Sequence, residues 1–299
     1  MFTDMHGKTR MKVGLHLHTT LSDGERTPEE AASIYAAAGY DAIALTDHWL
    51  YGEADNLCGL TILPGCEYNL GGIDGTSVVH IVGVGMEYAP DLPSEWAGVT
   101  VGVHTNAATV VRHIREAGGL AIAAHPAWSL NTAEHLLSFG HFDLLEIYNA
   151  VSECGMSDRA YSDVIADQLA CMGRYPGLIA TDDVHYYADD ACRGWIMVES
   201  ESTDRQMLIN AIRAGKFYAT QGPEIHIEKV APDRVRLICS PACKIAFMSN
   251  TCWTAGRIVR GENLTEAEYT RAATDRFVRA EITDAEGNKA WTNYIAFDQ

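Results

Sequence analysis

The chain has 299 residues, 47% of them apolar and 21% charged, a composition that supports a large buried core and argues against disorder. A formal charge of −18, from 22 Lys and Arg against 40 Asp and Glu, opposes general nucleic-acid binding, which needs cations to displace the counterions of phosphate. No apolar run approaches the roughly 20 residues that cross a bilayer, and MFTDMHGKTR lacks the apolar stretch of an export signal, so a cytoplasmic protein with no membrane partner is expected.

From about residue 12 to 215, short apolar runs alternate with amphipathic segments, the pattern of βα units carrying a mainly parallel sheet. The first run leads into HLHTTLSDG at 16–24. A helix then starts with Thr27 as N-cap, Pro28 at the first helical position and Glu30 closing a capping box, and Gly39 ends it. DAIALTDH follows at once, then PGCE at 64–67 and VVH at 78–80. REAGG closes a second helix before the strand LAIAAHP, and Asn131 and Thr203 read as capping starts of helices near 132–140 and 204–214. LLEIYN at 144–149 and TDDVH at 181–185 complete seven apolar runs that each lead into His, Asp or Glu. If all are parallel, these residues gather at carboxyl-terminal strand ends, and contributions from seven strands favour a closed α/β barrel over an open doubly wound sheet. Beyond about residue 220 the pattern changes to short strands with a turn at Glu286-Gly287-Asn288, which divides the chain into a barrel over 1–220 and a small β module over 221–299.

Side chains of an extended segment alternate, so His16 and His18 lie on one side and can hold a single ion. Glu67 is the candidate bridge, because a carboxylate shared by divalent cations roughly 4 Å apart lowers their repulsion. His, Asp and Glu ligation without Cys suits zinc, manganese or iron. In Asp47–His48 and Asp182–Asp183 the first acid of each pair reads as a loop or capping residue. Glu146, at a strand end, reads as a support to a ligand or as a substrate contact. His104, His113, His135, His141 and His226 read as surface or structural. The eight cysteines form no C-x-x-C pair and, without an export signal, are expected to be free buried thiols; Cys239 and Cys243 have metal-ligand spacing but nothing nearby to complete a site.

HLHTTLSDG, LTDH, PGCE, VVHIVGVG, AAHP, LLEIYN and TDDVH, in that order over roughly residues 12–215, resemble the motifs of the polymerase and histidinol phosphatase (PHP) family. The resemblance implies a distorted seven-stranded (β/α) barrel with two or three divalent metal ions. It implies His16, His18, Glu67 and Asp183 on the first ion, Glu67, His80 and His125 on the second, and Asp23, His48 and His185 on the third. A hydroxide shared by two such ions is a strong nucleophile near neutral pH, and a third ion stabilises the leaving oxygen. The implied activity is hydrolysis of a phosphoester in a small phosphorylated metabolite or nucleotide, with Glu67, Asp183 and His185 as the residues closest to the chemistry. Arg159 and Arg193 follow two of the motifs and are candidates for clamping phosphate, with Glu146 as a further substrate contact. AIRAGKFYATQGPEI and AEITDAEGNKAWTNYI resemble the PHP subgroup that includes carbaryl-hydrolase-like metallohydrolases, which implies ester or carbamate cleavage as the alternative. A third alternative is a non-catalytic metal-bearing module like the inactivated PHP domains of some polymerases. The sequence fixes no oligomeric state.

Overall fold

The computed structural model describes residues 2–53, 55–71, 78–95 and 106–297; His104 lies outside the described residues. In chain order the first half comprises β1 (Phe2–Thr3), β2 (Thr9–Gly14), α1 (Pro28–Ala37), β3 (Ala42–Ala44), β4 (Asn56–Leu57), β5 (Leu60–Leu63), β6 (Gly65–Gly71), β7 (Val78–Val84), α2 (Ala107–Glu116), β8 (Leu120–Ala123), α3 (Ala133–Leu137) and β9 (Leu144–Asn149). After a π-helical turn at Ser152–Met156 come α4 (Asp163–Cys171), β10 (Gly177–Thr181), β11 (Trp195–Glu199), α5 (Arg205–Arg213) and β12 (Phe217–Thr220). The chain ends in β13 (Ile225–Ala231), β14 (Arg234–Met248), β15 (Ile258–Thr270), β16 (Phe277–Thr283), β17 (Lys289–Trp291) and β18 (Ile295–Ala296).

Sequence sets the helix starts by capping. Thr27 and Glu30 form the expected capping box on α1, with Pro28 in the first turn. The other two starts fall one residue later than expected, at Thr132 and Asp204, whose side-chain oxygens accept the backbone N–H of His135 and Met207.

The strands form two sheets rather than one closed barrel. One runs β10-β9-β8-β7-β6, and the other contains β12-β11-β2-β3-β5 and continues through β17 into the C-terminal strands. Two isolated parallel bridges, Leu17 to Val184 and His48 to Glu67, join the sheets beside the metal-type residues, but the sheets are not closed into a seven-stranded ring. Nor are the strands uniformly parallel: β7 is antiparallel to both β6 and β8. Only six residues separate β6 from β7, too few for a crossover helix, so the chain must return antiparallel. His80 therefore sits near the start of its strand, not at the carboxyl end expected from VVH, and the reversal brings that start to the edge where the parallel strands end.

Apolar residues of both sheets pack under the helices, with Val13, Ile81, Val82, Ile122, Leu145 and Ile179 fully buried. A second core, including Val235, Leu237, Ile245, Phe247, Val278 and Ile282, lies among the C-terminal strands. β12 pairs with β17 across residues 219–220 and 290–291, so the sheet is unbroken where the composition changes. Arg279, fully buried, forks onto Asp167 of α4 at 2.6 and 2.8 Å and ties these strands to the helical part of the chain before them. All eight cysteines are free, but only Cys66 and Cys239 are buried, so the expectation of buried thiols fails for most. No helix among the described residues is long and apolar enough to cross a membrane.

Candidate metal centre

Nine ligand-type side chains from separate segments converge at the edge where β2, β3, β8, β9 and β10 end. His16 and His18 follow β2 two residues apart, and their Nε2 atoms lie 3.2 Å from each other. Asp183 Oδ1 is 3.1 Å from His16 Nε2 and 3.2 Å from His18 Nε2, and Glu67 Oε2 is 3.4 and 3.1 Å from the same two atoms. Glu67 Oε1 faces the other way, 2.9 Å from His80 Nδ1 and 3.4 Å from His125 Nε2. Asp23, the one exposed member, is 3.6 Å from His48 Nε2 and 3.6 Å from His185 Nε2. Three groups of donors result: His16, His18, Glu67 and Asp183; Glu67, His80 and His125; and His18, Asp23, His48 and His185.

The donor set fits cations. Asp183 Oδ1 is buried with no hydrogen-bond partner, although two imidazole nitrogens stand just over 3 Å away. The two facing Nε2 atoms cannot both carry a proton comfortably at 3.2 Å, whereas a shared cation would satisfy both lone pairs and the carboxylates. His16 is oriented for this: its Nδ1 lies 2.7 Å from Glu146 Oε1, which leaves Nε2 to face the cluster. His185 Nδ1 is likewise turned to the Asp183 carbonyl at 2.7 Å, and His125 Nδ1 to Ser129 Oγ at 2.8 Å. His125 and Asp183 both have positive φ, 30° and 52°, strain of the kind that clusters at functional sites.

The electrostatics carry the same stamp. Burial works against a charged His18, but the carboxylates of Asp183 and Glu67 beside its Nε2 outweigh it and lift the imidazole to about 10. His16 is raised as well: burial again opposes the charge, and the carboxylates of Asp183, Glu67 and Glu146 overcome it. Glu67 and Asp183 are held below the usual carboxylate range despite burial, each chiefly by the charge of His16. Burial pushes His48 down to about 3. In Asp23 burial is overcome by hydrogen bonding to His185 and by the nearby histidines, which bring it to about 2. Protons thus occupy, in part, the places that cations would take.

Asp47 and Asp182 play the loop roles expected of them. Asp47 accepts from the backbone and hydroxyl of Thr19 and from Ser22, shaping the loop that carries His18 and Asp23. Asp182 accepts from Tyr35 and from three successive amides at 192–194; burial raises it to about 6 in spite of them. Glu146 is completely buried and takes its contacts from His16, the His125 amide and Asn149, so it positions two of the nine donor-type residues. Arg193 is exposed, with its guanidinium drawn to Tyr148, Glu153 and Cys154; Arg159 is exposed and enters none of the ion pairs around the cluster. The His226 ring lies tilted against that of His6 with centroids 4.3 Å apart, away from the centre.

Three contributors escaped the sequence reading. Asn149 donates to both Glu146 and Asp183 and ends the LLEIYN strand, so its position was a signal. Asp190 accepts from the His185 and Tyr186 amides. Trp128, half-buried, sets its ring edge-on to His125 at 4.9 Å and lies 5.9 Å from His80; only the fold brings it there.

No family model matches the sequence, and no curated protein matches it. Among solved structures, a two-domain protein from Bacteroides vulgatus described as containing a PHP-like metal-dependent phosphoesterase has a TM-score of 0.56 at 16% identity, covering 98% of this chain and 97% of that one. An amidohydrolase from Chromobacterium violaceum has a TM-score of 0.47 at 21% identity, and a protein from Bifidobacterium adolescentis described as a metal-dependent phosphoesterase has 0.43 at 17%; each covers 60% of this chain and 89% of its own. At these identities the likeness to the Bacteroides protein is one of fold, and it extends over both the donor cluster and the C-terminal strands.

Proposed function

We propose that the chain is a metal-dependent hydrolase of the PHP type that cleaves a phosphoester in a small phosphorylated metabolite or nucleotide. The observation that carries this reading is the convergence of three donor groups around one bridging carboxylate, Glu67. His16, His18, Glu67 and Asp183 would hold one divalent ion, Glu67, His80 and His125 a second, and Asp23, His48 and His185 a third, with zinc, manganese or iron matching the donors. Such ions lower the pKa of water to about 7 and neutralise charge on substrate oxygens. The chain's own contribution is to fix the ligands: Glu146 and Asn149 orient His16 and Asp183, and Ser129 orients His125. Glu67, Asp183 and His185 lie nearest the reacting groups, and Trp128 forms an aromatic wall beside His80 and His125.

A second reading, hydrolysis of a carboxylester or carbamate, is favoured by one observation: among the described residues no arginine or lysine forms an ion pair with Asp23, Glu67, Glu146 or Asp183. The resemblance of the tail to carbaryl-hydrolase-like proteins points the same way. Turnover of p-nitrophenyl phosphate, p-nitrophenyl acetate and a panel of phosphorylated metabolites, with and without chelator, separates the two. The proposal expects the best substrate to be a phosphoester and its turnover to vanish with chelator. Faster turnover of the acetate than of every phosphoester would establish the second reading, and chelator-insensitive activity would exclude both.

A further inference from the structure

A second concave site lies at the other end of the strands that carry the metal centre. Leu120, Leu144 and Gly177 begin β8, β9 and β10, whose far ends lead to His125, Asn149 and Asp183. A cavity of about 360 Å³ opens against these three starts and the end of α5. β9 has six residues and so spans about 20 Å, which sets the scale of the separation.

The walls of this cavity carry two guanidiniums against one carboxylate, in a chain whose formal charge is −18. Arg174, Arg213 and His141 line it, and Arg115 reaches the His141 carbonyl from behind. Each guanidinium is held by main-chain oxygen: Arg174 donates to Gly140 at 3.0 Å, Arg115 to His141 at 2.7 Å and Arg213 to Gly118 at 2.6 Å. These bonds orient the cations without neutralising them, and a guanidinium has five N–H donors, so donors remain for a ligand. The one carboxylate lining the cavity, Asp143, accepts the Ala121 amide at 3.0 Å and stands 3.7 Å from Arg115. Two guanidiniums, Arg174 and Arg213, thus line the cavity beside one carboxylate, which is itself paired with Arg115. His141 is held below its ordinary value by burial and by Arg115 and Arg174, which shows that it shares their field.

We propose that this cavity is a binding site for a small multiply charged anion of the phosphate type, distinct from the metal centre. Arginines held in place by carbonyls favour planar, bidentate oxyanions.

The test titrates the zinc-loaded protein with inorganic phosphate while following the His141 ring resonance, assigned by its loss in His141→Gln. Potassium chloride at equal ionic strength is the control. The proposal expects a saturable shift of His141 with phosphate and none with chloride. It expects Arg174→Gln/Arg213→Gln to weaken the response by about tenfold or more, as loss of charged hydrogen bonds requires, while the metal-centre histidines respond as before. Either single substitution should give a smaller loss and serves if the double variant folds poorly. No His141 shift at millimolar phosphate, an equal shift with chloride, or an unchanged response in the arginine variants would overturn the proposal.

Discussion

The two oxygens of Glu67 face different groups of histidines, the arrangement a bridging ligand would need. Glu67→Ala is expected to lose about two ions per chain where a single histidine variant loses about one, because only a bridge serves two cations; elemental analysis of the variants checks this, and metal content equal to wild type would misplace the bridge. Glu146→Gln keeps the shape but weakens the hold on His16, and metal affinity by chelator competition should fall roughly ten- to a hundredfold, the usual effect of removing a ligand's orienting partner. The pH behaviour follows from His18. Without metal its folded value of about 10 exceeds the ordinary 6.5, so its contribution to stability is complete below about 6.5 and is lost as pH rises toward 10. Thermal melts of chelator-treated protein should therefore decline over that range, whereas metal-loaded protein, in which cations replace those protons, should not follow; parallel curves would contradict the assignment. The segments that carry the nine donor-type residues were legible because each segment follows an apolar run. Glu146 was legible as a special residue but ambiguous in role, since sequence spacing does not reveal that its carboxylate is enclosed by His16, the His125 amide and Asn149.

Among the elements, α1 was readable almost to the residue because its capping box is local chemistry. The direction of β7 was not readable from VVH, which has the same appearance in a parallel or antiparallel strand; the short link from β6 was the only available cue. The loop after β2 makes a sharper test. A Cβ on Gly24 would stand 2.5 Å from the backbone of His18 and 2.7 Å from that of Thr19, so the loop can close only with glycine there. Gly24→Ala should displace Asp23 and reduce metal content by about one ion while the fold melts cooperatively. Gly52→Ala, where a Cβ meets nothing nearer than 3.7 Å, should leave metal content unchanged. Full metal occupancy in Gly24→Ala would show that the loop does not set the third group of donors.

At the scale of the whole molecule, the change in sequence texture near residue 220 was legible, but the continuity of the sheet through β12 and β17 was not, because strand pairing between distant segments leaves no local signal. The C-terminal strands are fastened by the buried Arg279 against Asp167 of α4. Asp167→Ala removes the bidentate partner of that charge and leaves only Glu281 at 3.8 Å, and should lower stability by about 3 kcal/mol, the lower end for a broken buried pair because Asp167 is partly exposed and Glu281 remains; a denaturant midpoint equal to wild type would remove the fastening role. The nine donors carry the larger claim, that this chain encloses a multinuclear metal centre, since they exceed what one tetrahedral or octahedral ion can use. Elemental analysis of protein purified without chelator tests it most directly: about two to three divalent transition-metal ions per chain are expected from the three donor groups, and a stoichiometry of one or less would contradict the account.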